Sequence, residues 1–164
     1  MKRFAIALLV LAATLTARAD DAAWLPIEKE VAATTQSEQV TVVHFWASWC
    51  SNCKAEHAEG GWKNFVEDNP NVKVIFISIW GSADDDQKML EGYGLTALPN
   101  FTALRHPNQG RKRDERMNTF LDRTVTWIPT TWVFRRGQLR YALNYGEVRF
   151  PILQQLVDDS SAKW

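Results

Sequence analysis

The chain has 164 residues, of which 46% are hydrophobic, and its 19 basic and 19 acidic side chains give a formal net charge of zero. This length suits one domain with a core of its own. The balanced charge lacks the excess of Lys and Arg that marks nucleic-acid-binding proteins, so no nucleic-acid partner is expected.

The first residues have the pattern of a secretory signal peptide. Two basic residues precede an apolar, uncharged run over residues 4–13, and Ala17-Arg18-Ala19 has the small residues of a cleavage site. We predict a signal peptide over residues 1–19, cleaved after about Ala19, and a mature domain over residues 20–164. An uncleaved membrane anchor is the alternative, but the apolar run is shorter than the ~20 residues of a spanning helix. The mature protein is therefore predicted to be periplasmic, without a stable membrane span.

The predicted elements of the mature chain first alternate between helix and strand. In order they are a helix over 26–33, a strand over 40–46, a helix from about 50 to 68, a strand over 72–80, a helix over 84–93 and a short strand over 100–104. A charged helix over 111–122, a hairpin of strands 131–134 and 139–143, and an amphipathic helix over 150–157 follow. This order predicts an α/β sandwich around a mixed sheet.

The only two cysteines of the chain, Cys50 and Cys53, carry its clearest chemical signal. They lie at the start of a predicted helix, directly after a predicted buried strand. The helix N-terminus favours the thiolate of Cys50. That thiolate can attack the disulfide of a partner, and Cys53 can then resolve the mixed disulfide.

Two other uses of this cysteine pair are less consistent with the sequence. A structural bridge that encloses only two residues removes little chain entropy and so stabilises little. Structural zinc needs four ligands, and the only histidines, at positions 44, 57 and 106, lack zinc-finger spacing. We therefore predict a redox couple that uses no metal and no other cofactor.

Two stretches of the sequence resemble a known family. Residues 45–54, Phe-Trp-Ala-Ser-Trp-Cys-Ser-Asn-Cys-Lys, resemble the active-site stretch of thioredoxin-fold proteins, and residues 128–131, Ile-Pro-Thr-Thr, resemble their second signature. The resemblance covers roughly residues 24–156. It implies the thioredoxin fold, a three-layer sandwich with a central mixed β-sheet, with an insertion at about residues 95–127 before the cis-proline strand. The exported reductases of the TlpA/ResA type are the most similar sub-group, since they share the export signal, the insertion and a glutamate matching Glu56.

The resemblance also implies a substrate-binding surface. In the family the proline of the second signature has a cis peptide bond and packs beside the disulfide, which implies a cis bond before Pro129. The backbone of Ile128 would then pair with a peptide of the substrate. Trp49, Trp127 and Trp46 are predicted to form an apolar rim and floor around the thiols, although tryptophans are more often simply core residues.

A proton acceptor for Cys53 is the next requirement of the chemistry. His44 stands six residues before Cys50, where thioredoxins have an aspartate, and Glu56 matches a glutamate with a similar role in the TlpA/ResA type. We predict that either His44 or Glu56 transfers this proton. The alternatives are a core histidine with one satisfied hydrogen bond and a solvated glutamate.

The sequence departs from the family at three places. Ala58 replaces a proline found in many relatives, and the paired Gly60-Gly61 predicts a bend or break in the helix, since glycine weakens a helix interior by ~1 kcal/mol. The dipeptide Ser51-Asn52 places no histidine between the thiols, which predicts a reducing to intermediate potential. The insertion carries a basic cluster made of Arg105, Arg111, Lys112, Arg113 and Arg116. This cluster is either a solvated helical face or a docking surface for an acidic partner.

The sequence thus predicts a periplasmic thiol-disulfide oxidoreductase that reduces disulfides in exported partner proteins. Cytochrome c maturation and isomerase recycling are typical work of the family, with a membrane thiol-disulfide protein as the electron donor. The same dithiol could instead serve a dithiol oxidase or isomerase, which differs in its potential. A non-enzymatic Cu(I)-binding chaperone is the third possibility, because soft thiolates bind Cu(I).

Overall fold

The computed structural model describes residues 23–82, 86–144 and 146–162. The predicted signal peptide over residues 1–19 and its cleavage site lie outside these residues. Within the described ranges, no helix has both the length and the apolar character needed to cross a bilayer.

Five helices and seven strands make up the described chain. In order they are α1 Pro26–Thr35, β1 Thr41–Trp46, α2 Ser51–Ala55, α3 Gly61–Asp68, β2 Lys73–Ser78, α4 Asp86–Gly92, β3 Phe101–Arg105, β4 Thr119–Phe120, β5 Arg123–Thr124, β6 Thr130–Arg135, β7 Gln138–Leu143 and α5 Phe150–Ser161. The predicted hairpin is confirmed as β6 and β7, whose two-residue turn has a positive φ at Arg136 and Gly137, as the tight turns of hairpins require.

The central sheet has the order β3-β2-β1-β6-β7. Strands β1, β2 and β3 run parallel, whereas β6 pairs antiparallel with both β1 and β7. Val43 of β1 therefore lies between Ile75 and Trp132. The predicted α/β fold with a central mixed sheet is confirmed.

The core consists of two apolar clusters, one on each face of the sheet. Alternate residues of β1 divide between them, as the period of two in a strand requires. Val42 and Trp46 pack with Trp62 of α3 on one face. Val43 and Phe45 pack with residues of α1 and of the insertion on the other face. This gives the three layers of the predicted sandwich.

The predicted break at the paired glycines is confirmed. Helix α2 ends at Ala55, a short 3-10 turn covers Ala58–Gly60, and α3 begins at Gly61. Gly60 has φ +78°, and a Cβ on Gly61 would overlap the carbonyl oxygen of Glu56. Glycine is therefore needed at both positions for the chain to turn back over the end of α2.

The predicted helix over residues 111–122 is wrong. A single turn is closed where the N–H of Arg116 donates to the carbonyl of Lys112 at 2.9 Å, and β4 and β5 then form a small antiparallel pair. The turn between these strands has positive φ at Leu121 and Asp122. The buried carboxylate of Glu28 on α1 accepts the N–H of Leu121 at 2.8 Å, so a tertiary contact holds a conformation that is not helical.

Candidate active site

The two cysteines lie just beyond the end of β1, the middle strand of the sheet, where the chain enters α2. Cys50 is the N-cap of α2, and its sulfur is at disulfide-bonding distance from that of Cys53, with the two Cα atoms 5.2 Å apart. The N–H of Cys53 donates to Sγ of Cys50 at 3.2 Å, and such a hydrogen bond stabilises a thiolate at this position. Cys50 is 6% exposed and Cys53 is 1% exposed, so a partner reaches Cys50 first.

The second predicted signature lies beside the cysteines. The peptide bond between Ile128 and Pro129 is cis, which confirms that prediction. The carbonyl oxygen of Ile128 is 3.9 Å from Sγ of Cys50, and Pro129 is buried directly before β6. The fold therefore brings the two sequence signatures together, although residues 55–127 lie between them in the chain.

Two tryptophans adjoin these signatures and remain open to solvent. Trp49, next to Cys50, is 43% exposed, and Trp127, next to Ile128, is 58% exposed. The indole N–H of Trp49 donates to the carbonyl of Trp80 at 2.8 Å, which fixes the orientation of its ring. Two large aromatic side chains are thus partly exposed next to the two signatures.

His44 and Glu56 are in contact with each other. Nε2 of His44 is 3.1 Å from Oε2 of Glu56, at ion-pair distance, and Nδ1 of His44 lies 2.8 Å from Oγ1 of Thr131. The indole N–H of Trp62 donates to Oε2 of Glu56 at 3.0 Å, and the N–H of Val148 donates to Oε1 at 2.7 Å. Both side chains are buried, so Glu56 is not the solvated residue of the alternative interpretation.

The environment of Glu56 favours its charged form. Burial raises the pKa of this carboxyl, but the neighbouring His44 and the hydrogen bonds from Trp62 and Val148 outweigh burial and hold the pKa below its usual value. A carboxylate and a histidine are thus buried together, and Glu56 follows Cys53 by three residues.

Sequence reasoning missed His57, the next residue in the chain. Burial and the nearby His44 lower the pKa of His57 to about 4. Its ring stacks on Tyr93, with the ring centroids 3.9 Å apart. No periodic pattern distinguishes such a residue, and only its adjacency to Glu56 could have drawn attention to it.

The basic cluster of the insertion is divided among different contacts. The guanidinium of Arg111 lies over the ring of Trp49, and Arg105 forms an ion pair with Asp86 at 3.2 Å. Lys112 pairs with Glu115 at 3.1 Å. Among the residues with described positions, no three His, Cys, Asp or Glu side chains come together as a group that could hold a metal ion.

Comparison with known proteins agrees with this architecture. A family model, described as the thioredoxin-like domain, matches residues 27–161. A secreted disulfide oxidoreductase of Mycobacterium tuberculosis, homologous to E. coli DsbE, superimposes with a TM-score of 0.55 at 20% identity, covering 77% of this chain and 85% of its own. No curated protein matches the chain.

Two further solved structures are similar. A thiol:disulfide interchange protein of Chlorobium tepidum has a TM-score of 0.57 at 16% identity, covering 79% of this chain and 85% of its own. A DsbF homologue of Corynebacterium diphtheriae has a TM-score of 0.55 at 17% identity, covering 77% of this chain and 74% of its own. At these identities the likeness shows the fold.

Proposed function

Because the chain belongs to the thioredoxin-like family, we propose that it is a thiol-disulfide oxidoreductase whose Cys50–Cys53 pair exchanges disulfides with partner proteins. The environment of Cys50 is the observation on which the proposal depends. Cys50 caps α2, accepts the N–H of Cys53 on its sulfur and lies beside the carbonyl of Ile128. These contacts favour a thiolate at Cys50 and place it where the backbone of a partner can lie.

The reaction proceeds through a mixed disulfide. The thiolate of Cys50 attacks a disulfide sulfur of the partner and releases one partner thiolate. Cys53 then loses its proton and attacks the sulfur of Cys50, which releases the second thiolate and leaves the protein oxidised. We propose that the buried pair of His44 and Glu56 accepts this proton as a unit, and the closeness of Glu56 to Cys53 in the chain supports this assignment.

The reducing direction is the one we propose. No basic side chain lies between the thiols, where Ser51 and Asn52 are both exposed, so no added charge stabilises the reduced form. A strongly oxidising potential requires such stabilisation. The protein would thus deliver electrons to partner disulfides, in cytochrome c maturation or isomerase recycling, and be re-reduced by a thiol-disulfide protein of the membrane.

A periplasmic location fits this role. The pattern of residues 1–19 supports export. The similar protein of M. tuberculosis is described as secreted. The partners would be exported proteins that carry disulfides, since such bonds persist outside the cytosol.

Trapping the mixed disulfide tests the proposal. Reduced protein with Cys53→Ala should accumulate a covalent adduct with a disulfide-bonded peptide through Cys50, seen as the added mass. Cys50→Ala should form no adduct. If Cys53→Ala forms none either, the proposed function is wrong.

Equilibration with glutathione tests the direction separately. We expect a potential in the reducing to intermediate range. A value near about −120 mV, as in strong dithiol oxidases, would assign the protein to the oxidase or isomerase class instead.

A further inference from the structure

Arg111 of the insertion lies against Trp49, the residue immediately before Cys50. Its guanidinium carbon is 4.5 Å from the centroid of the indole, within the range of cation–π attraction. Arg111 is exposed, and Trp49 is only partly covered. A positive charge is therefore held at the solvent-facing side of the residue that adjoins the reactive cysteine.

The loop after β2 leaves space for the aliphatic part of the Arg111 side chain. Gly81 has φ +71°, and a Cβ built on it would be 2.5 Å from both Cγ and Cδ of Arg111. Trp80, the preceding residue, accepts the indole N–H of Trp49 on its carbonyl, and its own ring is covered by the guanidinium of Arg116 at 4.4 Å. The absence of a side chain at Gly81 thus lets Arg111 lie close to the chain beside Trp49.

Gln109 fixes the insertion to the same part of the sheet. Its side-chain oxygen accepts the N–H groups of Gly81 and Ser82, each at 3.1 Å. Its side-chain nitrogen donates to the carbonyls of Ser78 at 3.0 Å and His106 at 2.7 Å. Arg111 follows Gln109 by two residues, so it is placed before any partner binds, and this reduces the entropy lost on binding.

The segment of the insertion that contains Arg111 is rich in basic residues. Residues 105–116 contain five basic and two acidic side chains. Arg105 and Lys112 each have a carboxylate partner. Arg111 is in none of the ion pairs formed among the residues that the structure describes, so its guanidinium can bind a carboxylate from another molecule.

We propose that Arg111, positioned by Trp49 and Gly81, selects partners that carry an acidic side chain next to the disulfide to be reduced. The occupant of this surface is an acidic peptide segment of the partner protein. The inference rests on the proposed function, because it concerns how the same dithiol chooses its substrate. Opposite charges across such a contact chiefly raise the association rate.

A single turnover of the reduced protein measures this selection. The probes are two short peptides, with Asp-Cys or Lys-Cys at their centre, each linked through the cysteine to 2-thiopyridine. Cys50 attacks the peptide sulfur and releases 2-thiopyridone, which absorbs light, and Cys53 then releases the peptide thiol. The protein dithiol supplies both electrons and ends as the disulfide, so no other reductant takes part.

We expect the protein to react about two- to fivefold faster with the acidic peptide than with the basic one, the range given by an exposed ion pair. In Arg111→Glu the ratio of the acidic-peptide rate to the basic-peptide rate should fall to one or below. High salt should reduce this ratio in the unchanged protein. Arg140→Glu, the same charge change on the exposed strand β7, should leave it unchanged. The ratio is measured within each variant, so a loss of folded protein does not affect it.

The outcomes separate the two proposals. Equal rates with both peptides, or a ratio that Arg111→Glu does not alter, would overturn the role of Arg111 while exchange itself stands. Failure to react with either peptide would contradict the proposed function.

Discussion

Nε2 of His44 lies 3.1 Å from Oε2 of Glu56, and both side chains are buried. The sequence offers these residues as alternative proton-transfer groups for Cys53, whereas the structure joins them in one contact. Removing either group from water costs free energy, and the interaction with its partner offsets part of that cost. A change in one residue therefore alters the state of the other.

The first prediction concerns the coupling between these two residues. His44→Gln and Glu56→Gln should each destabilise the protein, by about 3 kcal/mol, because each leaves a buried group without its partner. The double variant should be more stable than the sum of the two losses implies, by about 1–3 kcal/mol. Urea denaturation of the oxidised protein at pH 7 measures all four free energies of unfolding. Additive losses would show that the contact has no energetic role.

The same variants test proton transfer to the pair. Each single change should shift the pH profile of the resolving step, and the double change should shift it no further. Glu28→Gln is the matched control, because Glu28 is a buried carboxylate that accepts the N–H of Leu121 and belongs to the other face of the sheet. It should lower stability without altering the profile. An unchanged profile in all variants would remove the pair from the mechanism.

The second prediction concerns stability in acid. Unfolded His57 binds a proton near its ordinary pKa of 6.5, but the folded residue does so only near pH 4. Between these values the unfolded state binds more protons, so stability is lost as the pH falls from 6.5 to 4. The loss should reach about 2 kcal/mol at pH 5.

His57→Phe keeps an aromatic ring beside Tyr93 and removes the titrating group. Its loss of stability between pH 7.5 and pH 5 should be smaller than that of the unchanged protein by about 2 kcal/mol. Chemical denaturation at the two pH values gives the comparison. An equal loss in both proteins would assign the acid sensitivity to other groups.

The third prediction separates backbone strain from the position of Arg111. Gly81 and Gly146 have φ of +71° and +79°, but only a Cβ on Gly81 would meet Arg111, since nothing lies within 4 Å of one on Gly146. Gly81→Ala and Gly146→Ala should each cost about 1–2 kcal/mol of stability. Only Gly81→Ala should also reduce the preference for the acidic peptide, because it displaces Arg111 from Trp49. A preference retained in Gly81→Ala would mean that the close approach is unnecessary.

The fourth prediction concerns the exposed tryptophan beside the cis-proline. Trp127→Ala should slow reduction of an uncharged peptide disulfide by about two- to tenfold, because an aromatic contact contributes about 0.5–1.5 kcal/mol. Ile152→Ala on α5 is the control, since Ile152 is 44% exposed but lies on a different element. It should leave the rate unchanged. The second-order rate constant of the reduced protein is the measurement, and equal effects of the two changes would exclude a contact at Trp127.

Local features of the chain were predictable because their causes are local. The alternation of strands and helices follows from the spacing of apolar residues, and the break after α2 follows from two adjacent glycines. Cys50 and Cys53 are marked as a pair by their spacing alone. The two signatures belong to adjacent ends of β1 and β6, so recognising each one also predicted that they would meet.

The insertion shows where such prediction ends. Its charged residues fit a helix, but Met117, Phe120 and Leu121 are buried against the sheet, and the carboxylate of Glu28 holds the turn at Leu121. The contact between Glu28 and Leu121 joins residues 93 positions apart. Tertiary contacts of this kind override the weak intrinsic helix propensity of the segment.

By itself, then, the sequence identified the dithiol, because Cys50 and Cys53 lie within four residues at the start of a helix. Only the tertiary structure decided what surrounds that dithiol. The fold packs β1 against the segment after α2, which joins His44 to Glu56, and packs the insertion against the end of β2, which sets Arg111 on Trp49. Contacts of this kind depend on how distant segments are packed, and residue patterns along the chain do not contain that information.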